Sequence, residues 1–209
     1  MIVNVFVPCD AAALSVGSDD VANAISNNSK GKVNIIRNGS RGMLWLEPLV
    51  EVETPKGRVA YGPVSVEDVK SLFASNFLEG GDHPLSHGIT EEIPYFANQE
   101  RLTFARVGKI DPLDLNDYQA NGGLLGLKNA LSMQPSEIVD IIKNSGLRGR
   151  GGAGFPTGIK WETAGAQPKG QKYICANADE GDSGTFADRM LMEGDPFSLI
   201  EGMIICARS

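Results

Sequence analysis

The sequence predicts an α/β protein made of two unlike parts, and three observations carry that prediction. The first eighty or so residues alternate β-branched strand patterns with one-faced helical patterns. A well-marked helix near position 140 then runs into a stretch dense in glycine and arginine. The composition, 42% hydrophobic and 22% charged over 209 residues, is that of an ordered chain able to bury a core.

Residues 2–8 (IVNVFVP) alternate and are rich in β-branched and aromatic types, so they read as a strand. Asp19 to Asn27 places Val21, Ala24 and Ile25 at helical spacing behind an Asp cap. Residues 33–39, 46–54 and 57–64 read as strands, the last two joined into a hairpin by a tight Pro55-Lys56-Gly57 turn. Residues 66–77 then put Val69, Leu72 and Phe73 on one helical face. This closes a βαββα pattern over residues 1–80, and its order resembles a thioredoxin-like fold. Residues 81–117, with Gly81, three prolines and scattered charge, read as a connector with short helical pieces. The second part, 118–209, opens on a glycine-interrupted helix at 118–131. A clearer helix follows at 136–145, with Pro135 in its first turn, Ile138, Ile141 and Ile142 as its stripe and Gly146 as its cap. A last helix, 195–209, has Asp195 as cap and Pro196 at its first position.

With 19 basic and 26 acidic residues the net charge is −7, which offers nucleic acid or an anionic membrane no global attraction. No apolar run reaches the roughly 18 residues of a membrane span, and the start lacks a basic signal-peptide region, so a cytoplasmic protein is expected. Cys9, Cys175 and Cys206 are odd in number and far apart, which argues against a disulfide framework and against a cluster or metal held by this chain alone. Cys175 reads as a core residue of a strand. His83 and His87 read as solvent-facing loop residues, because Pro84 and Gly88 oppose a metal-binding helix.

Residues 146–161 (GLRGRGGAGFPTGIKW) hold six glycines, two arginines and a lysine in sixteen positions. Glycines let successive amides point into one concavity, the segment from Pro156 can start a helix whose dipole favours an anion, and Arg148, Arg150 and Lys160 add charge. Phosphate binding follows from that chemistry; the competing reading is a tight turn packed through its glycines. Gly149, Gly151 and Gly154 satisfy G-x-G-x-x-G, but a helix precedes them where a dinucleotide fingerprint needs a strand, and Trp161 after Lys160 breaks a Walker pattern. Residues 172–176 then read as a buried strand entering an acidic loop with Asn177, Asp179, Glu180 and Asp182. Carboxylates beyond a strand end suit ribose hydroxyls. The alternative is a solvated loop capping a helix near Phe186 to Met192 through Ser183 or Thr185. Together the two loops suggest a split site, phosphates at one end and hydroxyls and ring edges at the other.

The run GLRGRGGAGFPTGIKW followed by NADEGDSGTFADRMLMEGDPFSLIEGM resembles the FMN- and NADH-binding flavoprotein subunits of complex I and its relatives. Its DEGDSGTFADRM form is most similar to the β subunit of molybdenum-dependent, NAD-linked formate dehydrogenases. The resemblance implies a thioredoxin-like domain without cluster ligands, followed by an incomplete Rossmann-like FMN/NADH-binding domain. It implies that Gly149, Arg150, Gly151, Gly152 and Lys160 surround FMN, with Ala153 and Gly154 completing the loop. Asn177, Asp179 and Glu180 would line the isoalloxazine and ribityl side, Phe155 would stack on the adenine of NAD, and Glu180 and Asp182 would neighbour the nicotinamide ribose. The implied reaction is hydride transfer between NAD(H) and FMN, then single-electron steps to iron–sulfur clusters borne by the full-length family or its partners. The implied partners are a thioredoxin-like 2Fe–2S γ subunit and a molybdenum-containing α subunit. Family members are longer and carry a C-x-x-C-x-x-C cluster motif, so the chain is expected to be the N-terminal part of such a subunit. The competing hypothesis is a non-catalytic module that only binds nucleotide or docks partners.

Overall fold

In the computed structural model, which describes residues 2–168, 170–180 and 184–209, the N-terminal alternation forms β1 (Val3–Phe6). Two helices follow, α1 (Ala11–Ser15), capped by the Asp10 carboxylate, and α2 (Ser18–Asn28), which leads to β2 (Val33–Ile36). The hairpin comprises β3 (Val50–Thr54) and β4 (Gly57–Tyr61), and Gly57 (φ +126°) makes the turn possible. The helix α3 (Val69–Ala74) closes the pattern. A fifth strand, β5 (Ser86–Ile89), comes from the segment read as a connector, which also supplies the short α4 (Pro94–Ala97).

The sheet order is β2-β1-β3-β4-β5, with β1 and β2 parallel and the other neighbours antiparallel. A parallel β-α-β unit flanked by an antiparallel hairpin, with helices on one face, is the thioredoxin-like arrangement that the sequence predicts. Register puts Val5, Val52 and Val59 in line across three strands. That face buries them against Val21 and Ile25 of α2 and Val69 and Leu72 of α3.

The opposite face of the sheet is covered as well. Alternation along VEVET directs Glu51 away from this core, yet Glu51 is fully buried because residues 38–47 and 90–110 cover it. Arg41 meets it with two bonds, Nε to Oε2 at 3.1 Å and Nη2 to Oε1 at 2.8 Å, and reaches Glu91 at 3.1 Å. A bidentate guanidinium supplies the partners that a buried carboxylate needs. His87 lies on β5 with its Nε2 2.8 Å from the Gly62 carbonyl, not in a loop, whereas His83 sits in the preceding turn.

The second part is helical: α5 (Leu115–Ala120), α6 (Leu125–Leu131), α7 (Pro135–Asn144), α8 (Thr157–Gly165), α9 (Ala187–Gly194) and α10 (Pro196–Arg208). The glycine interruption expected at 118–131 is the break between α5 and α6. Glu137 accepts from the Gln134 amide at 2.7 Å, which fixes the start of α7. Glu201 of α10 accepts from the Leu124 and Leu127 amides at the start of α6, both at 2.8 Å, and from the Tyr118 hydroxyl. Arg106 joins the two parts through Asp195, the α10 cap, at 2.8 Å. The strand expected at 172–176 is not formed. Tyr173, Ile174 and Cys175 are exposed, so Cys175 is not a core residue. A strand needs a ladder partner, and among the described residues of 118–209 the sole pairing is the isolated bridge between Arg148 and Pro156.

Candidate functional site

The glycine-rich loop is held between α7 and α8. Gly158 brings the two helices together: a Cβ there would lie 2.7 Å from the Lys143 amide nitrogen and 2.8 Å from its Cα. Lys143 and Glu162 add a 2.9 Å ion pair across the same contact. The neck of the loop closes through Gly149 N–H to Phe155 O and Thr157 N–H to Leu147 O, both 2.9 Å. Inside the neck, Arg148 Nε donates to the Gly154 carbonyl at 2.5 Å and Arg150 donates to the Arg148 carbonyl at 3.0 Å.

The glycines of the tip are of another kind. A Cβ on Gly151 or Gly152 would meet nothing within 4 Å, so neither is there to let protein pack closely. Gly152 also adopts φ +89°, which a side chain would strain. Tip glycines facing open space disagree with a turn packed through its glycines and fit a backbone cradle for a phosphate group. Phe155 is 46% exposed, and Lys160, in the first turn of α8, has its Nζ 5.8 Å from that ring. Ala153 is exposed and Gly154 half-buried at the end of the loop.

The acidic loop is more self-contained than expected. Asn177 Oδ1 accepts from the Asp179 amide at 3.0 Å, an Asx turn. Glu180 Oε1 accepts from the Arg189 amide at 2.9 Å, so the group bonding the first turn of α9 is Glu180. Its φ is +53°. Asp182 and Ser183 lie outside the described residues.

A cleft of about 550 Å³ brings Arg150 of the glycine loop together with Gly184 to Ala187, with Arg41 of the first part and with Tyr95, Arg101 and Phe104 of the connector. Asn177, Asp179 and Glu180 do not line it. Its volume is in the range of small-molecule sites. Arg101, over the Phe96 ring at 5.2 Å, donates to the Arg41 carbonyl at 3.1 Å. Burial, and then the charge of Arg41, lower its pKa below the ordinary arginine value. Sequence reasoning missed Tyr95, Arg101 and Phe104 because they lie in the stretch read as a connector; the available signal was basic residues interleaved with aromatics across Phe96, Arg101, Phe104 and Arg106. A larger hollow of about 880 Å³, lined by Val3, Lys32, Glu53 and Phe73 among others, holds no residue of either loop. Among the described residues no group of three or more His, Cys, Asp or Glu could hold a metal, and no helix is long and apolar enough to cross a membrane.

Residues 142–209 match the family model described as the Nuo51 FMN-binding domain. The chain is 53% identical over 107 residues to the NADP-reducing hydrogenase subunit HndC of Solidesulfovibrio fructosivorans, covering 51% of this chain and 22% of that protein. It is 46% identical over 101 residues to an NADH-quinone oxidoreductase subunit of Escherichia coli strain K12, covering 46% and 22%. The chain thus spans about a fifth of the length of these curated relatives. Among solved structures, an NAD+-reducing NiFe hydrogenase aligns at 19% identity with a TM-score of 0.40, over 99% of this chain and 35% of that one. The thioredoxin-like 2Fe–2S ferredoxin from Aquifex aeolicus aligns at 21% identity with a TM-score of 0.39, over 44% and 96%. Over residues 142–209 the chain is thus similar to the Nuo51 FMN-binding domain, and over about half of its length to subunits of NADP-reducing hydrogenase and NADH-quinone oxidoreductase.

Proposed function

We propose that this chain is part of a flavoprotein subunit that exchanges electrons between NAD(H) and iron–sulfur clusters by way of FMN. The observation that carries the reading is the open space beside Gly151 and Gly152 in a loop whose neck is fixed by backbone bonds. The similarity of the same segment to the Nuo51 FMN-binding domain supports it. In this reading residues 118–209 bind nucleotide, the thioredoxin-like unit of residues 1–80 docks partners, and 81–117 connects them.

The loop fits the phosphate end of FMN. Amides of Arg150, Gly151 and Gly152 would hold the phosphate, with Gly149, whose own amide closes the neck, and Ala153, Gly154 and Lys160 around it, and exposed Phe155 would offer a ring face to the dinucleotide. Asn177, Asp179, Glu180 and Asp182 would supply acceptors to hydroxyls and the ring edge. FMN, when bound, supplies the hydride and one-electron chemistry. The chain's own part is to orient the two nucleotides and to fix local charge, and no side-chain acid or base is needed. The finer reading, carried by the DEGDSGTFADRM run, is a cytoplasmic NAD-dependent formate dehydrogenase β subunit working with a 2Fe–2S γ and a molybdenum α subunit.

The test is anaerobic addition of NADH to the FMN-loaded chain. Bleaching of the flavin's blue absorbance within seconds is the expected result. Persistence of the oxidised spectrum under excess NADH would overturn the oxidoreductase reading and leave a nucleotide-binding or docking module.

A further inference from the structure

In a chain of net charge −7, the cleft lined by Arg41, Arg101 and Arg150 has one carboxylate among its described lining residues, that of Glu100. Phe155, Lys160 and Glu180 do not line it, so it is separate from the place that the functional reading gives to the nucleotides. Its arginines are not equivalent. Arg41 is taken up by Glu51 and Glu91. Arg101 forms no ion pair among the described residues; it donates once, to the Arg41 carbonyl, and its guanidinium lies over the Phe96 ring. A planar fork held from behind, with most of its donors unused, is preorganised for a carboxylate.

The apolar surface beside Arg101 continues past the mouth of the cleft. Leu44 and Tyr95 line it, Trp45, 62% exposed, stacks edge-on against Tyr95 with ring centroids 5.3 Å apart, and Leu102 is 79% exposed. A small ligand is held by enclosure, whereas an apolar strip that runs from a cleft out onto the surface suits a polypeptide. Tryptophan, tyrosine and arginine side by side is the composition of interface hot spots. Charge decides which polypeptide: an acidic segment is attracted by the free guanidinium here and repelled by the acidic remainder of the chain, which fixes where it docks.

We infer that Leu44 and Trp45 of the first part, with Tyr95, Arg101 and Leu102 of the connector, form a docking surface for an acidic segment of a partner protein that carries an apolar side chain. A partner carboxylate meets Arg101, and the apolar side chain covers Trp45 and Tyr95. The inference deepens the docking role proposed above for the first part by naming the surface and the partner's chemistry. It does not depend on the glycine loop holding FMN.

The probe is a short synthetic peptide of alternating glutamate and leucine, titrated into the whole chain and followed by tryptophan emission, with lysine–leucine and all-glutamate peptides as controls. The glutamate–leucine peptide should bind saturably and shift the emission to the blue, and the shift should vanish in Trp45→Phe, which leaves Trp161 as the sole tryptophan. Arg101→Gln should weaken that peptide about tenfold, as expected for a lost charge-assisted bond, while Arg101→Lys keeps most of the affinity and neither variant changes FMN binding. No binding of the glutamate–leucine peptide, equal binding of all three peptides, or a blue shift that survives in Trp45→Phe would each overturn the inference. Displacement of the peptide by inorganic phosphate at matching affinity would also overturn it, by giving the cleft to a small anion. Parallel loss of peptide and FMN in Arg101→Gln would do so by making the cleft part of the nucleotide site, and dimerisation of the unmodified chain that Arg101→Gln abolishes would give the surface to a second copy. Failure of the functional reading shows separately, as absent quenching of flavin fluorescence.

Discussion

Replacing Gly151 separates a ligand cradle from a structural turn. A Cβ at Gly151 meets nothing within 4 Å and its φ is not in the left-handed region, so Gly151→Ala costs the fold nothing. Reduced freedom of the unfolded chain should even stabilise it by about 0.4–1 kcal/mol. Gly151→Val should be close to neutral for the same reason. If the loop amides hold a phosphate, however, the isopropyl group occupies the ligand's space. Loss of two charge-assisted amide contacts at about 1.5 kcal/mol each comes to about 3 kcal/mol, on the order of a hundredfold in Kd. Gly158→Val should behave in the opposite way, because its Cβ would press within 2.8 Å of the Lys143 backbone and cost about 1–3 kcal/mol of stability. Thermal melting and FMN fluorescence quenching on the three proteins read both quantities. Gly151→Val binding FMN like the unmodified chain, or melting well below it, would refute the reasoning.

Two further outcomes follow from buried carboxylates. Burial raises Glu47 from 4.5 to about 7, outweighing the bonds from the Ser40 hydroxyl and the Leu49 amide that favour its ionised form. The folded state therefore holds its proton more tightly than the unfolded state. Stability is full below about pH 4.5 and is lost as pH rises through 7, by about 3 kcal/mol over that gap. Glu47→Gln should flatten the dependence of Tm on pH between 5 and 8 and raise Tm at pH 8; an unchanged slope would contradict it. Glu201→Ala should cost about 3 kcal/mol in urea unfolding, since it strips acceptors from the Tyr118 hydroxyl and two amides at the start of α6, and a loss under 1 kcal/mol would count against that role.

The elements that the sequence revealed are those whose signals are local. The valine alternation of β1, the Pro55-Lys56-Gly57 turn, and Pro135 with the isoleucine stripe of α7 need only neighbours in the chain to be read. What stayed hidden depends on distant partners. The segment SHGI of β5 has no alternating pattern and becomes a strand because β4 offers an open edge. Burial of Glu51 depends on Arg41 and the covering residues 90–110, which alternation alone cannot reveal. Tyr173 to Cys175 show the reverse: strong strand propensity, but no strand beside them to complete a ladder. In the site, the glycine and charge pattern of 146–161 was legible because it is contiguous. Arg101 and Tyr95 reach the same cleft from a part of the sequence with no motif.

The central claim is that the glycine-rich loop binds FMN, and the most direct test is titration of the purified chain with FMN, followed by quenching of flavin fluorescence. The account predicts saturable binding, micromolar or tighter, that inorganic phosphate competes for weakly. Fluorescence that stays unquenched at all protein concentrations would contradict it.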